Sequence, residues 1–309
     1  MIDALQYQGI AIVTDDPGWH GRVLRDAFAD RGFLAVFVSL NDCRIEVTGE
    51  KSSIILPGFD NLLPLGVLVR GISGGTLEQV ILRLDVLHML RHMGVTVYND
   101  ARAIEWTVDK AMTSFLLKHA GIPTPATWVC ESEQQARAII MREASRGCPL
   151  VCKPLFGSQG TGVKLLNSPS DLASEEVFGG VYYLQAYVDR GENNWYDWRV
   201  FVINGRARAA MIRRGSGWIT NRAQGARCEA VTIGGELQSL AEAAAGAVDV
   251  DYAGVDLMRD RHGQLYVIEV NGIPAWKGLQ EVCLVDIGGC LVDHLCARLA
   301  ATGSLAVLP

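Results

Sequence analysis

Two short runs in the last third of the chain constrain the fold most: Gly254-Val255-Asp256-Leu257-Met258 and Gln264-Leu265-Tyr266-Val267-Ile268-Glu269-Val270-Asn271. Only the polar break at residues 259–263 separates them. The second run alternates polar and apolar residues and reads as a strand, so Glu269 and Asn271, two apart, share a face. If the runs pair as a hairpin, Asp256 joins them. Three hard oxygen donors on one sheet face suit magnesium, which prefers carboxylate, amide and phosphate oxygens. An exposed acidic hairpin face gives the same pattern, so the metal reading needs a phosphate-binding loop elsewhere in the chain.

Upstream the periodicity differs. Residues 9–14 form an apolar burst ended by Asp15-Asp16-Pro17-Gly18, and residues 20–30 carry a helical stripe of Val23, Leu24, Ala27 and Phe28. Strand-like runs follow at 33–40, 53–56, 67–69 and 95–98, with a helix over 76–93 stopped by Gly94. Strands alternating with helices argue an open α/β sheet. From about residue 105 the pattern changes. A helix over 108–119 leads to Ile122-Pro123-Thr124-Pro125, which cannot be helical. A helix over 134–146 and a strand over 150–153 follow, and then mostly strands at 182–188, 198–203, 206–212 and 266–270, with helices at 237–248 and 287–300. Asn204-Gly205 between alternating runs marks a two-residue hairpin. The expected division is 1–105, 106–183 and 184–309.

A chain of 309 residues with 49% hydrophobic and 20% charged residues is globular and long enough for two or three compact units. A net charge of −6 argues against nucleic acid or an anionic membrane surface as the main partner. No apolar run reaches spanning length, and the first residues lack the pattern of a signal peptide. Eight cysteines without a CxxC pair suggest free thiols in a reducing cytoplasm rather than a zinc site.

The phosphate loop is at hand. Lys153-Pro154-Leu155-Phe156-Gly157-Ser158-Gln159-Gly160-Thr161-Gly162 follows a strand and holds three glycines in six positions. Glycine permits positive φ and close backbone approach, so successive amides can turn toward phosphate oxygens, and the lysine adds a point charge. The spacing is neither a Walker A nor a dinucleotide fingerprint. Read alone, the segment could be an ordinary hairpin turn. Its company decides: Lys110 precedes an amphipathic helix, and Arg199 and Arg213 flank the Asn204-Gly205 turn and would face one cleft.

In this order the chain carries Asp109-Lys110, Ile122-Pro123-x-Pro125-x-Thr127, the Lys153–Gly162 loop, Asp197-x-Arg199, Thr220-Asn221, Ala253-Gly254-Val255-Asp256 and Glu269-Val270-Asn271. The set resembles the ATP-grasp superfamily and, within it, the RimK-like amino-acid ligases, over residues 67–292. The resemblance implies an α/β (α+β) ATP-grasp fold: an N-terminal open α/β domain, a small lid domain and a C-terminal antiparallel-sheet domain. It implies that Lys110 and Lys153 contact the ATP phosphates and that Gly157, Ser158, Gln159, Gly160 and Gly162 close over them. Gln185, Ala186, Tyr187 and Val188 would line adenine, and Asp197 and Asn221 would complete the nucleotide side. Asp256, Glu269 and Asn271 would hold one or two magnesium ions, or manganese in their place. Arg213 would face the acyl phosphate, Arg199 a substrate carboxylate or the moving phosphoryl group, and Arg70 the substrate.

Three departures stand out. Ala186 replaces the usual acidic residue of the hinge, Ile219 stands where a basic residue is common, and Gly272-Ile273-Pro274-Ala275-Trp276-Lys277-Gly278 replaces a simpler loop. The implied activity is ATP-dependent coupling of an acceptor carboxylate to an amino acid, L-glutamate first, with a C1-carrier cofactor or a peptide as acceptor. Val69-Arg70-Gly71 with Leu77-Glu78-Gln79, residues 98–102 and residues 269–280 resemble a bacterial subgroup associated with tetrahydromethanopterin cofactor genes in methylotrophs. The competing readings are a ligase for another amino acid on a carrier protein and a non-catalytic nucleotide-binding module. A homo-oligomer is compatible with either.

Overall fold

The computed structural model describes residues 9–49, 51–60, 62–157, 160–172, 178–191 and 194–303. The elements run β1 (Ile10–Val13), α1 (Gly18–Ala29), β2 (Ala35–Val38), β3 (Arg44–Thr48), β4 (Lys51–Ile55), β5 (Gly66–Val69), α2 (Leu77–His92), β6 (Thr96–Tyr98), α3 (Ala101–Val108) and α4 (Lys110–His119). Next come β7 (Thr127–Cys130), α5 (Glu133–Ala144), β8 (Leu150–Lys153), β9 (Lys164–Leu166), β10 (Tyr182–Ala186), β11 (Tyr196–Ile203), β12 (Arg206–Arg214) and β13 (Arg227–Ala230). The chain closes with α6 (Gly235–Ala247), β14 (Tyr252–Arg259), β15 (Leu265–Asn271), α7 (Lys277–Gln280) and α8 (Ile287–Ala301).

Three main sheets result. The first, in the order β2-β1-β5-β6, is parallel throughout. Its strands alternate their side chains between two cores. Ile10 and Ile12 face α1 and α8, while Ala11 and Val13 face α2 and α3. The second sheet, β7-β10-β8-β9, and the third, β13-β12-β11-β14-β15, are antiparallel. This is the mixed architecture the sequence leads one to expect, with one addition. Helix α8 returns to pack against the first sheet, so Leu291, Leu295 and Leu299 share a core with Ile10 and Phe28 and also with Phe201 and Trp276.

Local chemistry explains where the decisive helices begin. At α2, Thr76 and Gln79 form a reciprocal capping box, with bonds of 3.0 and 3.4 Å. Asp109 caps α4 by accepting from the amides of Ala111 (2.8 Å) and Met112 (3.1 Å), which sets Lys110 at the first helical position. The segment before it, expected only as a lead-in, is a helix of its own: Asp100 accepts from the Arg102 amide and Ala103, Ile104 and Thr107 are buried. Strands β3, β7, β9 and β13 also escape the sequence reading. They are short, and β3 and β13 carry exposed or charged residues, which leaves little apolar signal to mark them; β3 pairs with β4 and β13 with β12, their neighbours in the chain.

One buried side chain ties the first sheet to the third. Asn99 donates to the carbonyls of Tyr252 (2.7 Å) and Gly272 (2.5 Å) and accepts from the amides of Asp251 (2.6 Å) and Tyr252 (3.1 Å). All its hydrogen-bonding capacity is spent inside the protein, which fixes the loop after β15 against the end of β6.

Candidate active site

One cleft gathers most of the residues singled out above. Lys110, Lys153, Gly157, Gly160, Gln185, Ala186, Tyr187, Val188, Asp197, Arg213, Asn221, Asp256 and Glu269 line it, around about 860 Å³ of space including the part open to solvent. The second sheet forms one wall and the third the other, with the glycine loop between them.

The cationic wall comes from two different elements. Lys110 donates to the carbonyls of Leu155 (3.1 Å) and Gly157 (2.7 Å), so the helix α4 cation already grips the glycine loop. Lys153 ends β8 and donates to the Gln185 side-chain carbonyl at 2.6 Å. Burial lowers the pKa of both, that of Lys153 to about 8, with the Lys110 charge adding to the effect and Glu269 and Asp256 opposing it. The loop turns back at Gly160 and Gly162, at φ of +74° and +73°. A Cβ at Gly160 would lie 2.8 Å from the Asn221 side-chain oxygen and 2.9 Å from Ile219, so glycine is needed there for fit as well as conformation. Ser158 and Gln159 lie outside the described residues.

The anionic wall is a hairpin. Asp256 on β14 and Glu269 on β15 occupy the same rung, and the register shifts immediately beyond, between Asp256 and Leu257. Asp256 is engaged by arginines. Arg199 holds both its carboxylate oxygens at 2.6 and 2.7 Å, and Arg213 adds a contact of 2.9 Å. Burial works against the charge, but Arg199 and Arg213 hold the Asp256 carboxyl below its ordinary range. Arg213 also grips Asp197 at 2.6 and 2.7 Å, and Thr220 donates to Asp197 at 2.7 Å. For Asp197, burial outweighs Arg213 and raises the pKa. Two arginines and two aspartates thus form a charge-balanced, buried cluster at the floor of the cleft, where Asp197, Arg213 and Asp256 contribute to its lining.

The placement of the remaining predicted residues is mixed. Arg199 sits behind Asp256, outside the lining, over Gly254, where a Cβ would come within 3.5 Å of its Nε. Asn271 pairs with Gly254 two rungs beyond Glu269 and does not line the cleft, nor does Gly162. Arg70 lies at the end of β5 in a second cleft with Thr14, Asp15, Trp19 and His20. Its guanidinium is 5.3 Å from the ring centre of buried Trp276, and its buried Nε has no partner.

Among the described residues no group of three or more His, Cys, Asp and Glu comes together as a metal seat. The donor set nevertheless fits a magnesium ion carried on phosphates, which needs only one or two carboxylates and keeps its waters. Arg199 and Arg213 direct their bonds to Asp256 and Asp197, which leaves Glu269 as the carboxylate facing the two lysines.

Several lining residues had no sequence signal. Buried Arg190 donates to the carbonyls of Tyr196 (2.9 Å) and Trp218 (2.6 Å), and Trp218 meets Tyr187 edge to face with ring centres 6.1 Å apart. With Val151, Val163, Met258 and Ile268 these rings make the apolar part of the cleft. Met258 was findable, since it lies two residues from Asp256 on the same strand.

Residues 107–295 match the RimK-like ATP-grasp domain. The chain is 28% identical to a tetrahydromethanopterin:alpha-L-glutamate ligase of Methanosarcina acetivorans, over 93% of this chain and 98% of that protein. It is 30% identical to a probable alpha-L-glutamate ligase of Trichodesmium erythraeum, over 93% and 95%. In structure it is similar to the ATP-grasp ligase PsnB complexed with a minimal precursor, with a TM-score of 0.72 at 22% identity over 96% of this chain and 99% of that one. The fold, the glycine loop between two sheets and this likeness along the whole chain lead to one conclusion: the protein belongs to the RimK-like ATP-grasp family.

Proposed function

We propose that the protein is an ATP-dependent carboxylate–amine ligase that joins L-glutamate to an acceptor carboxylate on a C1-carrier cofactor or a peptide. One observation carries the reading. Two partly buried lysines, a positive-φ glycine loop and Glu269 line one cleft, the combination a triphosphate requires. The named activities of the Methanosarcina and Trichodesmium relatives favour glutamate and, for the first, a tetrahydromethanopterin acceptor.

In this reading the adenine lies between Val151, Tyr187, Met258 and Ile268, with the backbone at 185–188 reading its edge. Lys110 and Lys153 meet the phosphates under the glycine loop. A magnesium ion on the phosphates would neutralise charge beside Glu269 and Asp256. An acceptor carboxylate oxygen attacks the γ-phosphorus, the bond to the β,γ-bridging oxygen breaks, and ADP leaves. The neutral amine of glutamate then attacks the acyl carbon. The C–O bond to phosphate breaks, phosphate departs with the electron pair, and the amine proton is lost. Positioning and charge neutralisation carry most of the first step. Arg70, held at the ends of β1 and β5, would bind the acceptor. The eight free cysteines suit a cytoplasmic setting.

The test is ADP release with purified protein, scored for dependence on magnesium, on L-glutamate and on acceptor, with the product identified by mass spectrometry. Nucleotide binding without amino-acid-stimulated turnover would favour a binding module instead. Stimulation by an amino acid other than glutamate would keep the ligase and change its substrate.

A further inference from the structure

The side chain of Gln185 does something that a residue offering only its backbone to adenine would not. It is 2% exposed, and each of its polar atoms is committed. The carbonyl oxygen accepts from Lys153 Nζ at 2.6 Å, while the amide nitrogen donates to Tyr183 Oη (2.9 Å) and Thr127 Oγ1 (3.2 Å). This fixes the amide's orientation, because a flip would set an NH₂ against an ammonium. The arrangement follows from register. Tyr183 lies opposite Lys153 on neighbouring strands β10 and β8, and Gln185 is two residues farther along β10, so all three side chains share a face. The Tyr183 ring centre is 5.9 Å from Lys153 Nζ.

The chain of bonds continues. Tyr183 Oη lies 2.7 Å from Ser114 Oγ. Ser114 is one turn after Lys110 on α4, so the two lysines of the cleft, on separate elements, are registered to each other through Ser114, Tyr183 and Gln185. The character of the link matters as much as its geometry. Lys153 leans on a neutral amide, so its charge stays uncancelled at short range. The carboxylates whose charge acts on it, Glu269 and the arginine-held Asp256, are not its hydrogen-bond partners. An ammonium has three N–H donors, and one bond to Gln185 leaves two for phosphate oxygens.

We propose that Gln185 is a positioning residue for nucleotide binding, which aims the Lys153 ammonium at the phosphates and, as an amide rather than a carboxylate, leaves its charge free for them. The inference rests on the reading that Lys153 contacts ATP phosphate. Burial sets the Lys153 pKa near 8, and the groups around it act on it as well: Lys110 from α4, Tyr183 from β10, Asp256 and Glu269 from the third sheet. Farther along the cleft lie the paired Asp197 and Arg213 and the buried Arg190. Nucleotide affinity should therefore be full below that pKa and decline as pH rises through it.

Calorimetric titration with magnesium and a non-hydrolysable ATP analogue from pH 6.5 to 9.5 tests this without an acceptor. Gln185→Met removes the amide at similar size, and affinity should fall about ten- to a hundredfold, the value of a hydrogen bond to a charged group. Gln185→Glu supplies a carboxylate. Affinity should fall again, but the alkaline decline should move up by about one pH unit or more as the lysine gains an ion pair. Tyr183→Phe cuts the chain one bond farther out and should give a smaller loss in the direction of Gln185→Met, which covers the case in which a Gln185 variant does not fold. A structural role alone would lower the melting temperature and leave the alkaline decline in place for Gln185→Glu. Wild-type affinity and an unmoved decline in the Gln185 variants, with affinity lost in Lys153→Met, would overturn the positioning role only. Unchanged affinity in Lys153→Met would overturn the nucleotide reading beneath it.

Discussion

Arg199 grips Asp256 through both carboxylate oxygens, at 2.6 and 2.7 Å, on adjacent strands of the third sheet. Glu269, opposite Asp256 on the other side, faces the lysines instead. Two carboxylates on one rung are thus given different work. Asp256 anchors a buried charge cluster, and Glu269 presents charge to the cleft.

The cluster of Arg199, Asp256, Arg213 and Asp197 is balanced, so removing one member leaves an odd charge buried. Arg199→Met should cost about 3–5 kcal/mol of stability at pH 7.5, the usual consequence of breaking a buried pair. In the folded wild type the two arginines hold the Asp256 pKa down, so its contribution is present above the ordinary aspartate range and is lost as pH falls through the folded value. The variant loses that restraint, Asp256 can protonate more readily, and the deficit should shrink toward pH 5. Urea unfolding at the two pH values measures both. A cost below about 1 kcal/mol at pH 7.5 would mean that solvent reaches the pair.

Glu269→Ala should leave the fold intact and remove turnover. The residue is only partly buried, and the arginine bonds of the hairpin go to Asp256. Loss of one well-placed charge contact should lower kcat by about 10²–10³. Circular dichroism and melting temperature should stay at wild-type values. A variant with normal ADP release would place the phosphates elsewhere.

Much of this was legible in the chain. The alternation of residues 264–271, the Asn204-Gly205 turn and the glycine spacing after Lys153 are local signals, and the strands, the hairpin and the loop all follow from them. What escaped reading is non-local. Whether Asp256 meets a metal or an arginine depends on the register of β12, β11 and β14, which no single segment encodes. The capacity of Gln185 to hold Lys153 depends on a rung between strands 30 residues apart in the chain. Helix α3 was missed because it is one short amphipathic stretch between two aspartate caps, easily taken for a connection. Arg190 lies in a polar run that reads as surface, yet its guanidinium is buried against two carbonyls.

The glycine loop offers a cleaner test of fit. At Gly160 a methyl group meets Asn221 and Ile219, and the positive φ is unfavourable for any L residue. Gly160→Ala should therefore hold the loop away from Asn221, raising the KM for ATP about tenfold or more while the KM for glutamate stays in place. The backbone strain, about 1–2 kcal/mol for a left-handed residue, falls on an exposed loop and should barely move the melting temperature. Equal changes in both KM values would show that the loop serves the whole site and not the nucleotide.

The second cleft has its own pH signature. His20 Nε2 accepts from the backbone amides of Trp276 (3.1 Å) and Lys277 (3.2 Å), which requires that nitrogen to be unprotonated. Burial first, then the charges of Arg70, Lys277 and Arg222, lower its pKa from 6.5 to about 4. Between those values the unfolded chain binds a proton that the folded protein refuses, so stability declines as pH falls below 6.5, and the decline is complete near pH 4. A shift of that size would carry at most about 3 kcal/mol, and the partial exposure of the ring reduces it to roughly 1–2 kcal/mol. His20→Gln keeps an acceptor for the two amides and removes the titration. Its stability should match wild type at pH 7.5 and exceed it at pH 4.5, read as urea midpoints. Parallel losses in the two proteins would assign the acid sensitivity to the buried carboxylates instead.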